Sequence, residues 1–268
     1  MKSPVRLPRL LLTNDDGIDA PGLAALLEAA KDFTDEIWVV APEHDRSGTG
    51  QSISVHHPLR CWPRGERRYA VSGTPGDCVA MAVAHLLTEK KPSLILSGIN
   101  AGSNVGDEVH LSGTLGAAFT GLLLGIPSVA ISLDCVTRPA ARWDTARVIV
   151  PKLLNYFLVH GWRKDTCLSI NIPDRPAGEI KRFSWGRQAQ RNIAGFHIDK
   201  REDQRQLDYY WLSTVYREPP ASASSDYRIV DRGEVSVTAL GLNCSVEVAE
   251  PSVLFDETAA EALEEAEE

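Results

Sequence analysis

Residues 10–40 read LLLTNDDGIDAPGLAALLEAAKDFTDEIWVV, and this stretch decides the fold. The apolar run at 10–12 predicts a buried strand, the segment from about residue 22 to 33 predicts a helix, and the run at 37–40 predicts a second buried strand. Strand, helix and strand in this order form a βαβ unit, whose two strands lie parallel in one sheet.

The same alternation continues along the chain. We expect helices and strands in turn at 76–87, 94–96, 114–124 and 128–131, followed by a helix near 145–160 and a strand at 168–172. This order predicts the α/β class with a doubly wound, mostly parallel sheet.

The C-terminal half follows a less regular pattern. The segment 187–208 is rich in charge and glutamine and is expected to be an exposed excursion, and residues 231–233 set a turn before an alternating strand. We expect a single domain over 1–268, with the core at 1–135, a completing part at 136–255 and an acidic, disordered tail at 256–268.

Composition narrows the class of partner. The formal charge of -8 owes much to the seven carboxylates at 256–268, and the remaining chain is close to neutral, so no basic surface for a nucleic-acid polymer is indicated. The five cysteines lie far apart and form no C-x-x-C pair, which favours the reducing cytoplasm over a disulfide framework or a zinc site. The apolar run at 10–12 is too short for a signal peptide and no run approaches 18 residues, so neither export nor membrane insertion is expected.

Ligands of such sheets bind at the carboxyl ends of the strands, so the loops that follow strands matter most. After the first strand come the adjacent carboxylates Asp15 and Asp16. One alternative is that either residue caps the following helix, for which a single Asp would suffice. The other is that the pair binds Mg²⁺, Mn²⁺ or Ca²⁺, which prefer hard oxygen ligands.

Two further loops carry weaker signals. The loop at 41–50 combines hydroxyls, a basic residue and two glycines and would suit an anion, or is an ordinary surface loop in which His44 is either an acid–base candidate or solvated. In the third loop Pro75 suits the first position of a helix that receives a phosphate, but Thr74 as a cap and Asp77 at the helix dipole explain that segment equally well.

The fourth loop, at 97–116, is the richest. Asparagine carbonyls are neutral metal ligands, and the helix entry Ser112-Gly113-Thr114 offers hydroxyls and free amides to phosphate oxygens. The chain has no Walker A loop, no G-x-G-x-x-G fingerprint, no G-x-S-x-G elbow and no H-E-x-x-H helix. The sequence therefore does not indicate a P-loop enzyme, an NAD enzyme, a serine hydrolase or a zinc protease.

The four loops together resemble the stationary-phase survival protein SurE family. The resemblance rests on Asn-Asp-Asp-Gly at 14–17, Ala-Pro-x4-Ser-Gly at 41–48, Gly-Thr-Pro-x-Asp-Cys-Val at 73–79 and Ser-Gly-Ile-Asn-x-Gly-x-Asn-x-Gly-x5-Ser-Gly-Thr at 97–114. It implies a Rossmann-like fold with a β-rich C-terminal oligomerisation part, a homodimer or homotetramer, and a metal-dependent 5'-nucleotidase. The implied substrates are nucleoside 5'- and 3'-monophosphates and short polyphosphate.

The resemblance also implies roles for individual residues. One divalent ion per subunit, Mg²⁺ or Mn²⁺, would be bound by Asp15, Asp16, Ser47 and Asn100. Asp15, Asp16 and Asn14 would be catalytic. Asp107 would at most contact a metal ligand and would not bind the metal itself. The substrate phosphate would contact Ser47, Gly48, Asn104, Ser112, Gly113 and Thr114.

The chain departs from the family pattern at three places. An aromatic residue, most often Tyr, precedes Ser-Gly-Thr in the family, whereas this chain has Leu111 after His110, a change that bears on nucleoside stacking. The late Thr-Pro-Leu is Thr238-Ala239-Leu240 here, and the Gly-Thr-Asp before it is reduced to Ser225-Asp226.

Chemically, a metal bound to a phosphoryl oxygen and a water would support in-line attack, with one carboxylate of the pair accepting the proton. Two alternatives stay open at this point. The first is a nucleotide- or phosphate-binding sensor without turnover, and the second is a glycosyl- or nucleotidyl-transferring enzyme that uses the same carboxylates.

Overall fold

The computed structural model describes residues 4–135, 137–190, 192–219 and 222–245, and the expected acidic tail at 256–268 lies outside them. A nine-stranded sheet has the order β3-β4-β2-β1-β5-β6-β7-β11-β8, and β9 and β10 form a separate hairpin. The strands are β1 Leu10–Thr13, β2 Ile37–Pro42, β3 Cys61–Gly65, β4 Arg68–Val71, β5 Leu94–Ala101, β6 Ser128–Leu133, β7 Thr166–Ile172, β8 Phe183–Trp185, β9 Ile193–Glu202, β10 Asp208–Tyr216 and β11 Val235–Gly241.

Strand β1 occupies the centre of the sheet. All four of its residues are buried, and it pairs in parallel with β2 on one side and β5 on the other. The chain winds outward from β1 in one direction through β2 and β4 and returns to wind in the other through β5, β6 and β7. The crevice between the ends of β1 and β5 is therefore the switch point at which such sheets bind ligands.

Helices cover both faces of the sheet. On one face, apolar residues of α1 and α4 pack in the main core, and on the other, residues of α2 and α3 pack against the opposite faces of the same strands. Short 3₁₀ segments extend α1 and precede α3 and α4, and a π turn at Ala82–Leu86 extends α2. The helices are α1 Pro21–Ala30, α2 Pro75–Met81, α3 Gly113–Leu123, α4 Trp143–His160 and α5 Asp226–Asp231.

The C-terminal part adds strands of the other direction. β11 runs antiparallel to β7, and the short β8 runs parallel to β11 at the sheet edge. The expected excursion at 187–208 contains β9, which pairs with β10 in an exposed antiparallel hairpin. None of the helices in the described ranges combines the length and the apolar character that crossing a bilayer requires.

The predicted α/β class and doubly wound, mostly parallel sheet are confirmed, and every strand and helix expected up to residue 172 is present within a few residues. The β3–β4 hairpin was not predicted. β3 has the sequence CWPRG and β4 is only four residues long, so neither has the apolar run that marks a buried strand.

Candidate active site at the switch point

Asp15 and Asp16 follow the central strand directly, as expected. Asp15 is 3% exposed, and the Asp16 side chain is 6% exposed. Asn14 closes the turn, since its side-chain amide donates to the carbonyl of Gly17 at 2.8 Å. Gly17 has φ of +103°, a left-handed conformation that glycine adopts without steric cost. The turn thus fixes both carboxylates at the end of β1.

The amino terminus of α3 abuts Asp15. The Thr114 hydroxyl donates to Oδ1 of Asp15 at 2.6 Å. A Cβ atom at position 113 would lie 2.8 Å from Cβ of Asp15, so glycine allows the helix to approach this closely. Ser112 is the N-cap and accepts a hydrogen bond from the amide of Leu115 at 3.2 Å. The segment 112–114, which was predicted to bind phosphate, therefore contacts Asp15 directly.

Burial makes both carboxylates resist ionisation. It raises the pKa of Asp15 to about 6, against a hydrogen bond from Thr114 that lowers it, while the charge of Asp16 raises it further. Burial also raises the pKa of Asp16, although the positive charge of Arg138 acts in the opposite direction. Asp15 therefore titrates near pH 6 in the metal-free protein.

The loop at 43–50 closes one side of the site. The amide of Arg46 donates to the backbone carbonyl of Asp15 at 2.7 Å, and the amide of Gly50 donates to the carbonyl of Leu111 at 2.9 Å. Asp45 Oδ1 accepts from the amide of Ser47 at 2.8 Å and from its hydroxyl at 2.6 Å. Ser47 and Gly48 are thereby held, exposed, at the mouth of the crevice.

Asn100 reaches the site from the end of β5. Its side-chain amide donates to the carbonyl of Gly102 at 2.9 Å, which leaves Oδ1 as the free acceptor end of the group. The next residue, Ala101, donates its backbone amide to Oδ2 of Asp16 at 3.3 Å. The structure therefore brings Asn100 and Asp16 to adjoining strand ends.

The donor set suits a hard cation. The buried Oδ1 of Asn14 has no hydrogen-bond partner, a condition that costs about 1–3 kcal/mol unless another group satisfies it, and the buried Oδ1 of Asp16 faces the Arg138 guanidinium at 3.0 Å. Within the part of the chain that the structure describes, no three His, Cys, Asp or Glu side chains could hold a metal. A cation here would therefore need the neutral oxygens of Ser47 and Asn100 besides the carboxylates.

Comparison with known proteins decides the family. The family model described as "Survival protein SurE" matches residues 10–195. The chain belongs to the SurE family. It is 43% identical to 5'-nucleotidase SurE 1 of Burkholderia lata over 232 residues, 87% of this chain and 90% of that protein. It is 40% identical to 5'-nucleotidase SurE of Caulobacter vibrioides over 238 residues, 88% and 90% of the two chains.

A solved SurE structure shares the fold. The crystal structure of the SurE protein from Aquifex aeolicus matches with a TM-score of 0.76 at 34% identity, and the match covers 97% of this chain and 100% of that one. The match therefore includes the C-terminal strands as well as the parallel core.

The structure gives the following surroundings for three other residues that the sequence singled out. Asn104 is tied to the sheet, because its side-chain amide donates to Ser132 at 2.8 Å and its backbone amide donates to Asn171 at 2.7 Å. Asp107 accepts a hydrogen bond from the amide of Ile193 at 3.2 Å and so anchors the base of the β9–β10 hairpin. The His44 side chain is 79% exposed.

The third loop has the capping geometry that the sequence offered as an alternative. Thr74 accepts from the amide of Asp77 at 3.1 Å, and the Asp77 carboxylate accepts from the amide of Thr74 at 2.9 Å. Pro75 occupies the first helical turn, as expected. This segment therefore starts α2, and its polar groups are used within the fold.

Sequence reasoning overlooked Arg138 and the role of Asp45. Arg138 lies in the segment that follows β6, which ends at the same edge of the sheet as β1 and β5. Its guanidinium is 3.0 Å from Asp16 and 2.5 Å from Asp45. The strand-end rule would have pointed to this loop, but the loop contains neither the glycines nor the paired carboxylates that drew attention to the other four.

Proposed function

We propose that this chain is a metal-dependent phosphomonoesterase that hydrolyses nucleoside 5'-monophosphates to nucleoside and phosphate. The observation that carries the proposal is the contact between Asp15 and the amino terminus of α3 through Thr114. The names of the curated SurE relatives, which are 5'-nucleotidases, supply the substrate class.

That contact places a helix amino terminus beside two carboxylates, and these two features favour ligands of opposite charge. The free amides and dipole of a helix amino terminus favour an anion such as phosphate. Asp15 and Asp16 would repel the same anion unless a cation lay between them and it. A divalent metal between the pair and the helix would resolve the conflict.

The metal we propose is one Mg²⁺ or Mn²⁺ per subunit, held by Asp15, Asp16, Ser47 and Asn100. When bound, it would supply Lewis-acid polarisation of the phosphoryl group and a lowered pKa for water. The amides and hydroxyls at 112–114, with Gly48 at the mouth, would orient the phosphate oxygens.

The protein's own share of the reaction is orientation and proton transfer. A water oxygen attacks phosphorus as the bond to the ester oxygen breaks, and that oxygen takes a proton from solvent and leaves as the hydroxyl of the nucleoside. One carboxylate of the Asp15–Asp16 pair accepts the proton of the attacking water. Asn14 holds the turn from which both carboxylates project.

The first test is a panel of phosphomonoesters crossed with divalent cations on purified protein. We expect phosphate release from AMP or GMP with added Mn²⁺ or Mg²⁺, and the panel includes 3'-monophosphates and short polyphosphate, which we also propose as substrates. Saturable nucleotide binding without phosphate release would favour the sensor, and consumption of an activated donor would favour the transferase.

The second test removes one carboxylate. Asp16→Asn should lower turnover about 100-fold or more, because it removes both a charged ligand and a candidate base. Asp19→Asn, in the same loop but on an 82% exposed side chain, serves as the matched control and should retain activity. Wild-type rates in EDTA-treated protein, or an active Asp16→Asn variant with native circular dichroism, would overturn the proposal.

We also propose a homodimer or homotetramer assembled through the β9–β10 hairpin. Trp211 and Leu212 of β10 are 59% and 64% exposed, and successive residues of a strand point to opposite faces. A two-stranded hairpin has little stability alone in water, so a second subunit is the natural cover for these side chains. Cytoplasmic location remains a prediction, consistent with five unpaired cysteines.

A further inference from the structure

Arg138 places a positive charge at the mouth of the site. Its Nη1 lies 2.5 Å from Oδ2 of Asp45, and its Nη2 lies 3.0 Å from Oδ1 of Asp16 and donates to Oγ of Ser47 at 3.1 Å. Two of the oxygens assigned to the metal therefore adjoin the same guanidinium nitrogen.

Other arginines near this edge are engaged elsewhere. The Arg46 guanidinium donates to the carbonyl of Ser72 at 2.8 Å. Arg142, four residues after Arg138, pairs with Asp174 at 3.1 Å. Both Arg138 and Arg142 are 53% exposed, so the two differ in what they contact rather than in exposure.

Stability does not account for the position of Arg138. Its pair with Asp45, in which the two side chains are 53% and 45% exposed, contributes only about 0–1 kcal/mol. The charge of the site gives a better reason. Asp15, Asp16 and Asp45 carry three negative charges when ionised, of which one divalent cation offsets two. Arg138 offsets the third, so that a phosphate dianion meets no net repulsion.

Guanidinium chemistry also fits a phosphate. The group is planar and presents five N–H donors in a fork that matches two phosphate oxygens. Asp45 holds one nitrogen, and the neighbouring nitrogen faces Asp16 and Ser47, two residues proposed to hold the metal beside the substrate phosphate. A positive charge beside the non-bridging phosphate oxygens contributes strongly to the rate of phosphoryl transfer, because it stabilises the negative charge on those oxygens in the transition state.

We propose that Arg138 binds the phosphoryl group of the substrate, with Asp45 orienting its guanidinium. The inference rests on the proposed function for the identity of the substrate. It adds a residue from the loop after β6, which none of the family motifs in this chain includes.

Arg138→Gln tests the inference, with Arg142→Gln as the matched control from the same segment. In Mn²⁺-saturated protein, calorimetric titration with inorganic phosphate should show a dissociation constant about 10- to 100-fold weaker for Arg138→Gln, the range expected for loss of a charged hydrogen-bond donor. Arg142→Gln should match the wild type. Arg138→Lys, which retains charge but not the fork, should lie between them.

Titration with Mn²⁺ alone separates phosphate binding from a structural role. Arg138→Gln should bind Mn²⁺ as tightly as the wild type or more tightly, because a positive charge beside Asp16 is removed. With AMP, its kcat/KM should fall about 10-fold or more. Loss of Mn²⁺ binding, or phosphate affinity and kcat/KM both within twofold of the wild type, would overturn the inference.

The remaining outcomes are also decisive. If Arg138→Gln does not fold by circular dichroism, the same titrations on Arg138→Lys decide the question, and wild-type behaviour there overturns the inference. Wild-type protein that hydrolyses no phosphomonoester refutes the proposed function, while the phosphate titrations still test Arg138. Wild-type protein that binds no phosphate with Mn²⁺ present overturns the inference itself.

Discussion

At the residue scale, the buried Asp15 opposes folding whenever it is ionised. Its carboxyl is neutral in the folded protein up to a pKa of about 6, whereas the value of 3.8 applies when the group is solvated. The stability that the neutral carboxyl contributes is fully present below pH 3.8 and is lost as pH rises through 6. Above that, the shift corresponds to about 3 kcal/mol.

We therefore predict that Asp15→Asn stabilises the metal-free protein at alkaline pH. In EDTA at pH 8, its free energy of unfolding should exceed that of the wild type by up to about 3 kcal/mol, and the difference should vanish near pH 4. The amide oxygen can still accept the Thr114 hydrogen bond, so that contact is retained. Urea denaturation across this pH range measures the difference.

The exposed Asp19→Asn provides the baseline for that measurement. Its effect should stay within about 0.5 kcal/mol at each pH, since its ion pair with Arg68 is on the surface. An Asp15→Asn variant that is no more stable than the wild type at pH 8 would contradict the assignment of a raised pKa to Asp15.

The carboxylates were accessible to sequence reasoning, but their surroundings were not. Asp15 and Asp16 follow an apolar run directly, so the strand-end rule places them without any structure. Arg138 comes from a chain segment more than 120 residues away, and its contacts with Asp45 and Ser47 depend on where two loops meet. The local sequence pattern does not predict which loops contact each other in the folded protein.

At the element scale, α3 and the loop at 43–50 approach without side chains between them. A Cβ atom at Gly116 would lie 1.9 Å from the carbonyl oxygen of Gly50. The helix can pack this closely because glycine leaves room for the backbone of the loop. This contact sets the distance between the segment 112–114 and Ser47.

Gly116→Ala should destabilise the protein by about 1–3 kcal/mol, although alanine is the better helix former, because the loop backbone must move. It should also reduce turnover, since Ser47 moves with the loop. Gly178→Ala, where a Cβ meets nothing within 4 Å, is the control and should stay within about 0.5 kcal/mol. Equal urea midpoints for the two variants would show that the contact is not constraining.

Prediction of elements succeeded where both faces of a strand are buried and failed where they are not. β1, β5, β6 and β7 contain mainly apolar, buried runs and were recognisable from them. The hairpin strand β9 mixes charged and apolar residues with most positions exposed, so its sequence resembles a loop. Its partner β10 has the aromatic content of a strand but no core to pack against.

At the scale of the whole molecule, the exposed apolar side chains of the β9–β10 hairpin are the feature least expected in a monomer. Tyr210, Trp211 and Leu212 are more than half exposed, and the two strands pair with each other rather than with the nine-stranded sheet. Exposed apolar strands promote pairing with other chains unless they are covered.

We predict that Trp211→Ser combined with Leu212→Ser shifts the protein from dimer or tetramer to monomer, because the apolar area available to a second subunit is removed. Light scattering after size exclusion measures the mass. Leu123→Ser is the control, since Leu123 is 67% exposed on α3, outside the hairpin, and its loss should leave the mass unchanged. A monomeric wild type, or an unchanged mass in the double variant, would refute assembly through the hairpin.

The central position of β1 divides the site into two kinds of support. Asp15, Asp16 and Thr114 are carried by a fully buried strand and the helix packed beside it, so their geometry persists for as long as the domain remains folded. Ser47, Gly48 and Arg138 are carried by exposed loops that can open locally at lower free energy. The site thus combines a rigid floor at the end of β1 with a mobile rim, and under the proposed function such a rim would adjust to substrates of different size.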